Sequence, residues 1–302
     1  MIKVGIYGPS EVHSPVRKQL LRLLLRHPDV DLRAVASTAG NATPLAELHP
    51  VFAGETSLTL ERVLKLDGLD VLFVIDEENL TEELLAKYAD DKDFRLIVLG
   101  RTPSLIKNPG VFEYGFPEYN RKALVRGARA AVNPSAEAML IELALFPLAK
   151  YGLLGGDVAV TLSGSTGDLA AAAAEATALL RRVQPSFEGR VLCAAGGDTT
   201  FSRLDLEATV ATDVALDEIE RIYDSAYEDH NFTYVVPGKG PVEEDLRGSN
   251  KCLIRLAHND GKLTVYASVD ALTRGVTGNA VHIMNLLFGL YERTGKSEAK
   301  RS

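Results

Sequence analysis

The chain has 302 residues, of which 33 are Lys or Arg and 41 are Asp or Glu, so its formal net charge is −8. This acidic balance argues against nucleic acid as the main partner, because binding to a phosphate backbone needs a basic surface. It still leaves room for a small anionic ligand in a local pocket. Hydrophobic residues make up 46% of the chain, which is ordinary for a globular protein and argues against disorder of the whole chain.

The cysteine content and the apolar runs bear on the compartment. Two cysteines, Cys193 and Cys252, cannot form a disulfide framework, and both fall in apolar strand-like segments where we expect them to be buried. No apolar run reaches the roughly 18 residues of a membrane span, and the start, Met1–Gly5, is typical of a short strand rather than a signal peptide. We therefore expect a cytoplasmic protein without a membrane partner. Its length favours two domains.

Strands and helices alternate in the first half of the chain. The pair Ser14-Pro15 is typical of a helix N-cap followed by proline at the first helical position. In chain order we predict a strand over 2–7, a helix that ends at His27, strands over 31–37 and 70–75, a helix from Thr81 to about Tyr88, and a strand over 95–100. This alternation predicts an α/β fold with a doubly wound parallel sheet.

The second half has a different pattern, in which several strands follow one another. We predict helices over about 136–151, 170–183, 216–227 and 280–293, strands over 157–162, 204–212, 251–256 and 262–269, a loop over 163–167, and a frayed tail over 296–302. Strands with few intervening helices predict an α+β domain with a mixed sheet. In the last predicted helix, apolar residues recur at helical spacing and are expected to pack in the core, namely Val281, Met284, Leu287, Phe288 and Tyr291. His282 of the same helix is expected to have a half-buried polar tip.

Four motifs, taken in order, resemble a known family. They are Tyr114–Arg121 (YGFPEYNR), Asn133-Pro134, Ser163–Gly167 (SGSTG) and Gly278–Asn285 (GNAVHIMN). Together they resemble N-acetyl-γ-glutamyl-phosphate reductases, the NADPH-dependent enzymes of arginine biosynthesis, over nearly the whole chain. The resemblance implies a Rossmann domain over 1–132 and 278–302, an α+β domain of the catalytic and dimerisation type over 133–277, and a homo-oligomer, either a dimer or a tetramer.

The resemblance also implies which residues would contact ligands. NADP contacts would fall on Gly5, Gly8, Ser10, Ser37, Thr38, Gly164, Ser165, Gly167 and Asn279. Substrate contacts would fall on Asn133 and Ser135. No metal ligand is expected.

The catalytic cysteine of the family is replaced in this chain. In the family, a thiolate attacks the acyl phosphate and forms a thioester. The family motif Asn-Pro-Gly-Cys is here Asn-Pro-Ser-Ala, and Ala136 at the cysteine position has no nucleophile, so we assign no catalytic residue. Ser135 lies one residue before the cysteine position and is expected to be a turn or N-cap residue. The histidine segment and the long substrate loop of the family are also missing, because Gly167-Asp168 leads almost directly into an alanine-rich helix.

The phosphate loop is altered as well. Gly5 and Gly8 remain, but the later glycines are absent and the helix is expected to begin only at Pro15. Glu11 places a carboxylate near the expected position of the pyrophosphate, where like charges repel. We therefore expect NADP binding to be weak or absent.

Nucleophile, histidine, substrate loop and phosphate loop are thus altered together. This combination predicts a family member that is catalytically inactive or strongly impaired and acts as a binding or regulatory subunit. Its partners would be copies of itself or, in a hetero-oligomer, an active relative. Two alternatives stay open, namely a working NADPH-dependent reductase of arginine biosynthesis and another nicotinamide-dependent oxidoreductase that needs no thioester.

Overall fold

The structure is a computed structural model that describes residues 1–242 and 244–295. The chain divides into two compact units. One contains Met1–Pro134 and the described residues from Val276 onward, and the other contains Ser135–Gly275. The tail that we expected to fray, 296–302, lies outside the described residues.

The first unit is built around one parallel sheet. Its strands are β1 (Ile2–Tyr7), β2 (Val30–Ala36), β3 (Thr43–Pro44), β4 (Thr59–Leu60), β5 (Val71–Ile75), β6 (Arg95–Leu99), β7 (Glu113–Tyr114) and β8 (Ala130–Val132). Its helices are α1 (Pro15–Leu25), α2 (Leu45–Leu48), α3 (Glu82–Asp90), α4 (Pro103–Lys107), α5 (Pro117–Val125) and α9 (Gly278–Leu287). Six strands form the parallel sheet in the order β2-β1-β5-β6-β8-β7, and β3 pairs with β4 alone.

Both faces of this sheet are covered, which explains the unbroken apolar runs of its central strands. Every residue of β5 is buried, as parallel strands covered on both faces require. Leu20 of α1 and Met284 of α9 pack on one face, while Leu84 of α3 packs on the other. The predicted doubly wound, Rossmann-type sheet is therefore confirmed.

The second unit has a mixed sheet. Its strands are β9 (Val158–Ser163), β10 (Val191–Ala195), β11 (Arg203–Ala211), β12 (Thr233–Val235), β13 (Cys252–Asn259) and β14 (Lys262–Asp270), and its helices are α6 (Ala136–Lys150), α7 (Leu169–Val183) and α8 (Leu216–Tyr227). The order is β10-β9-β11-β14-β13-β12, with parallel pairs at both edges and antiparallel pairs in the centre. The mixed sheet predicted for this half is confirmed.

Burial alternates along the strands of the mixed sheet. In β9, for example, Val158, Val160 and Leu162 are buried, while Ala159 and Thr161 are exposed. This period of two places one face of each strand against the helices. Helix α6 is enclosed on all sides, since every residue from Ala138 to Ala149 is buried. None of the helices in the described residues is both long and apolar enough to cross a membrane.

The last helix is shorter than expected from its apolar spacing. It ends at Leu287, because Gly289 adopts a φ of +66° and the chain reverses there. The N–H of Gly289 bonds to the carbonyl of Leu286 and that of Leu290 to the carbonyl of Asn285, the pair of bonds of a Schellman C-cap. Tyr291 lies beyond this turn and is 66% exposed, so the prediction that it packs in the core was wrong.

For two residues, the burial in the structure differs from the burial that the sequence predicted. His282, expected to have a half-buried polar tip, is fully buried, and its Nε2 lies 2.6 Å from Glu292 Oε2. Cys193, expected to be buried, is half-buried on the edge strand β10. The spacing of apolar residues in the sequence does not indicate these surroundings. Glu292 reaches His282 only after the turn that follows α9. Strand β10 is an edge strand and pairs with one neighbour only, which leaves Cys193 partly exposed.

Candidate functional site

The loop after β1 begins at a glycine that no other residue could replace without strain. Gly8 has a φ of +81°, and a Cβ there would lie 2.6 Å from the carbonyl oxygen of Ile75 and 2.8 Å from Asn79 Nδ2. Gly5, inside β1, has a packing role, since a Cβ would lie 2.7 Å from Leu69 Cδ1. Both glycines therefore hold β1 close to its neighbours.

A buried arginine fills the inside of this loop. Arg17, in the first turn of α1, has no exposed surface. Its guanidinium donates to four backbone carbonyls, those of Gly8 (3.2 Å), Pro9 (3.0 Å), Glu11 (2.7 Å) and Val12. Burial lowers the pKa of Arg17 to about 10 and the charge of Glu11 opposes that shift, so the group stays charged at neutral pH.

Sequence reasoning missed Arg17, although one signal was present. A cation is unfavourable in the first turn of a helix, where the dipole is positive, so an arginine there calls for a specific partner. The helix start itself was predicted correctly. Helix α1 begins at Pro15, and Ser14 Oγ accepts the N–H of Arg17 at 3.2 Å.

The other candidate cofactor residues of this unit lie at the carboxyl ends of β1 and β2. Ser10 and Thr38 are exposed. Ser37 is fully buried; its N–H bonds to the carbonyl of Glu61 at 2.9 Å, and its Oγ has no hydrogen-bond partner among the described residues. Ligands of open parallel sheets bind at this edge.

An acidic cleft lies at the carboxyl ends of the next two strands, β5 and β6. It has a volume of about 440 Å³ and is open to solvent. Asp76 accepts the N–H of Arg101 at 2.8 Å and pairs with its guanidinium at 3.0 Å, while Glu78 lies 3.2 Å from the same guanidinium. The carboxylate of Glu77 accepts the N–H groups of Ser104 and Leu105, so the chain itself occupies the N-terminus of α4.

Asn133 and Asn279, predicted as a substrate contact and a cofactor contact, lie together in the first unit. Both are fully buried. Asn279 Nδ2 donates to Asn133 Oδ1 at 2.9 Å and to the carbonyl of Gly115 at 2.8 Å. Asn133 Nδ2 donates to the carbonyl of Pro134. These contacts link β8, α9 and the turn before α5.

In the second unit, the residue that the motif resemblance places at the family nucleophile is the first residue of α6. Ala136 stands there, and a Cβ on Gly275 would lie 2.6 Å from its methyl group. Ser135 is the N-cap, as predicted, because its Oγ accepts the N–H of Ala138 at 3.2 Å. The same hydroxyl donates to Glu175 Oε2 at 2.8 Å, and the Ser135 N–H lies 3.3 Å from Glu175 Oε1.

A second internal carboxylate occupies the glycine-rich loop. Glu137 Oε1 accepts the Ser165 hydroxyl at 2.8 Å and the Gly167 N–H at 3.0 Å. Asp168 caps α7 by accepting the N–H groups of Ala170 and Ala171, each at 3.0 Å. Sequence reasoning missed Glu137, although an acidic residue in the first turn of a helix is a recognisable signal.

Gly164, the remaining cofactor candidate, has a φ of +78° and packs against Thr199 and Arg203. Its neighbours Ser165 and Gly167 are joined through the Glu137 carboxylate, while the Ser135 hydroxyl is bound to Glu175. The backbone and hydroxyl donors of this region are therefore directed at carboxylates of the chain. Among the residues that the structure describes, no group of three or more His, Cys, Asp or Glu side chains could hold a metal ion.

Comparison with solved structures defines the class of fold. Aspartate semialdehyde dehydrogenase II from Vibrio cholerae, complexed with ASA, matches 96% of this chain and 99% of its own, with a TM-score of 0.71 and 15% identity. Aspartate semialdehyde dehydrogenase with NADP from Candida albicans matches 95% of this chain and 98% of its own, with a TM-score of 0.73 and 9% identity. The chain therefore has the two-domain fold of aspartate semialdehyde dehydrogenases.

Comparison of sequences defines the family. The N-acetyl-gamma-glutamyl-phosphate reductase of Parabacteroides distasonis is 33% identical over 322 residues, which cover 98% of each chain. That of Bacteroides thetaiotaomicron is 32% identical over 321 residues, with the same coverage. No protein-family model matches the sequence. The chain belongs to the N-acetyl-gamma-glutamyl-phosphate reductase family.

Proposed function

We propose that this chain is a member of its family without effective reductase activity, and that it acts as a binding or regulatory subunit. One observation carries the proposal. The first position of α6, where the family has its nucleophilic cysteine, is Ala136, and the residues on either side of it are engaged with the chain's own groups. Ser135 is bound to Glu175, and Glu137 is bound to Ser165 and Gly167.

Three residues of the second unit that could supply a hydroxyl or thiol, Ser135, Cys193 and Cys252, are poorly suited to replace the missing cysteine. The Ser135 hydroxyl is held as a helix cap, because it accepts the N–H of Ala138 at 3.2 Å and donates to Glu175 Oε2 at 2.8 Å. Burial raises the pKa of Cys193 to about 11, so this residue is a thiol and not a thiolate at neutral pH. Cys252 is fully buried on β13. Covalent catalysis through a thioester therefore lacks a thiolate nucleophile.

Electrostatics around α6 also oppose an acyl-phosphate substrate. Glu137, Glu175 and Asp168 are grouped around the starts of α6 and α7. An anionic phosphate about 5 Å from one carboxylate is repelled by about 3 kcal/mol at an effective dielectric constant near 20. The donors that would offset this repulsion already bind internal carboxylates.

NADP binding is proposed to be weak or absent for a related reason. The acidic residues Asp76, Glu77 and Glu78 follow β5, at the sheet edge where dinucleotides bind in this class of fold. Among the described residues that line this cleft, Arg101 is the one cation, and it is already paired with Asp76 and Glu78. The candidate contacts Gly8, Ser10, Ser37, Thr38, Gly164, Ser165, Gly167 and Asn279 remain proposals.

The proposed assembly follows from family membership. We expect a homo-oligomer, either a dimer or a tetramer, or a hetero-oligomer with a cysteine-bearing relative. The two cysteines and their surroundings suit a reducing compartment, and we propose the cytoplasm.

The deciding experiment is the reverse reductase assay, in which N-acetylglutamate semialdehyde, phosphate and NADP are mixed with protein purified from a host that lacks its own reductase. We expect NADPH formation at the level of the protein-free blank. The Parabacteroides distasonis relative, purified in the same way, is the positive control. A turnover of about 1 per second or faster, typical of enzymes, would overturn the proposal.

The alternatives retain one observation in their favour. Relatives named as reductases match the chain over 98% of both lengths. A reductase with a different nucleophile would show phosphate-dependent NADPH formation. Another nicotinamide-dependent oxidoreductase would show NADPH or NADH formation from an aldehyde or alcohol without phosphate.

A further inference from the structure

Strand β10 forms one edge of the mixed sheet, and it lacks the features that usually protect such an edge. Its sequence, VLCAA, contains no charged residue and no proline, and it pairs with β9 in an unbroken register. The opposite edge strand, β12, is only three residues long, and Pro237 follows it closely. Edge strands are usually short, charged, bulged or interrupted by proline, because their free backbone groups can pair with another chain.

The hydrogen bonds to β9 show which backbone groups of β10 point outward. At one end, the carbonyl of Arg190 accepts the N–H of Val158, and at the other end the N–H of Gly196 donates to the carbonyl of Leu162. A parallel ladder engages every second residue of each strand, so the even-numbered residues of β10 bond to β9. The odd-numbered residues direct their N–H and C=O groups away from the sheet.

Cys193 and Ala195 therefore present the free backbone groups of this edge. Within the described part of the chain, neither their N–H nor their C=O groups have a hydrogen-bond partner. Val191 differs, because its N–H donates to Thr177 Oγ1 at 3.0 Å. The chain itself thus closes the start of the edge and leaves the part from residue 193 to residue 195 open.

The open part of the edge is complementary to itself. If a second copy of β10 lies antiparallel with Ala194 opposite Ala194, Cys193 of each copy faces Ala195 of the other. Every free N–H at the edge then meets a free carbonyl, and the arrangement has two-fold symmetry. Placing Cys193 opposite Cys193 would instead bring Ala195 opposite Val191, whose N–H is already bound to Thr177.

The side chains at this edge are small. Ala194 is exposed and lies beside Thr161 of β9 on the same face of the sheet. In the self-complementary register, Leu192 lies opposite Gly196 of the second copy, which has no side chain. Helix α7 packs against β10, and its exposed residues before the last turn are all alanines, namely Ala170, Ala171, Ala174 and Ala178. These small side chains leave room for a second copy at the edge.

From these observations we infer that β10 is a pairing surface for a second copy of this chain, and that the mixed sheets of two copies join there around a two-fold axis at Ala194. The inference rests on the homo-oligomer proposed above and names one surface of it. A second copy is the occupant that the edge favours, because the free groups are their own complement. An extended segment of a different protein would not require that symmetry.

Disulfide formation tests the register. Ala194→Cys is made in a Cys193→Ser background, where the remaining cysteine, Cys252, is fully buried. Opposite residues of a non-hydrogen-bonded antiparallel pair have Cα atoms about 4.5 Å apart, which is within the reach of a disulfide. After mild oxidation we expect most of the protein to run as a cross-linked dimer on a non-reducing gel.

Leu192→Cys in the same background is the matched control for cross-linking. Residue 192 is exposed on the same face of β10, so its thiol is equally accessible. In the inferred register, however, its two copies lie roughly 13 Å apart along the strands, beyond the reach of a disulfide. This variant should stay uncross-linked.

Proline at residue 195 tests whether the edge holds the copies together. Ala195→Pro removes an outward N–H and leaves the ladder with β9 intact. It should weaken self-association about tenfold or more, since each copy loses one hydrogen bond to the other. Ala195→Ser keeps the N–H and should associate like the wild type. Sedimentation over a range of protein concentrations measures the association.

The inference is overturned if Ala194→Cys cross-links no faster than Leu192→Cys, or if folded Ala195→Pro associates like the wild type. If Ala195→Pro does not fold, the cross-linking comparison decides alone. Either negative result with a multimeric wild-type chain would place the interface of the proposed homo-oligomer elsewhere. A monomeric wild-type chain would contradict both the inference and the homo-oligomer. The reductase assay is independent of these outcomes.

Discussion

Glu137 Oε1 accepts the N–H of Gly167 at 3.0 Å, and in this position the carboxylate fills the space that a side chain at residue 167 would take. A Cβ on Gly167 would lie 2.6 Å from that oxygen. The carboxylate also accepts the Ser165 hydroxyl, so a single oxygen joins the first turn of α6 to the loop before α7. This pair links the residue after Ala136 to the glycine-rich loop over 163–167.

The steric relation between Glu137 and Gly167 can be tested by a double-mutant cycle. Gly167→Ala should destabilise the protein by about 1–3 kcal/mol, because the added methyl displaces a hydrogen-bonded carboxylate. In a Glu137→Ala background the same substitution should change the free energy of unfolding by no more than about 0.5 kcal/mol. Urea unfolding gives the four values. Equal costs in both backgrounds would show that the carboxylate is not what excludes a side chain at residue 167.

Restoring the cysteine should not restore the enzyme. Ala136→Cys alone is expected to show turnover at the blank level in the reverse assay, since the histidine and the substrate loop of the family are still missing and such groups act as a unit. The thiol itself should react with iodoacetamide, because the N-terminus of a helix lowers a thiol pKa. Labelling is measured by mass spectrometry in a Cys193→Ser background, with that variant as the control. Robust reductase activity in the single mutant would mean that another group supplies the proton chemistry.

NADPH should bind weakly, with a dissociation constant above roughly 100 μM. The loop lacks the later glycines and α1 begins only at Pro15, so donors that would face a pyrophosphate are displaced or absent. Each charge-assisted hydrogen bond lost costs about 1.5–3 kcal/mol. Fluorescence enhancement of NADPH measures the affinity. Glu11→Gly is the matched variant. It should tighten NADPH binding if the carboxylate is what weakens binding, and it should change the affinity little if the late start of α1 is the cause.

Stability at acidic pH should depend on Glu292. Burial opposes its ionisation, but the hydrogen bonds and charges of His282 and Arg121 outweigh burial and lower the pKa of Glu292 from 4.5 to about 2. Because the pKa is lower in the folded state than in the unfolded chain, the stabilisation is complete above about pH 4.5 and is lost as the pH falls toward 2.

The size of this effect should be about 1–3 kcal/mol, reduced from the full linkage value because Arg121 is half exposed. The measurement is the free energy of unfolding between pH 7 and pH 3. Glu292→Gln should be less stable at pH 7 and should lose less stability on acidification, whereas Glu220→Gln, an exposed control, should follow the wild type. Parallel curves for wild type and Glu292→Gln would contradict the assignment.

Local features of the fold could be predicted from the sequence because they depend on residues close together in the chain. Ser14-Pro15 placed the start of α1, Ser135 was expected to be a turn or N-cap residue, and the apolar run over 70–75 indicated a strand. Gly289 could also have indicated the end of α9, because glycine commonly follows a helix. The prediction from apolar spacing alone extended the helix past it. The resemblance that places Ala136 at the family cysteine likewise rests on the sequence alone.

Only the tertiary structure decided what surrounds these residues. Glu175 reaches Ser135 across 40 residues, Glu137 reaches Gly167 across 30, and Asn279 reaches Asn133 across 146. Arg17 is near its loop in the chain, but nothing in its spacing indicates that its side chain turns inward. Periodicity and capping signals depend on the geometry of a single element, whereas the partner of a polar side chain depends on which elements pack together and at what distance. The pattern of the sequence therefore specifies an α/β unit and an α+β unit. Packing decides that internal carboxylates bind the polar groups at the start of α6, and that a buried guanidinium fills the loop after β1.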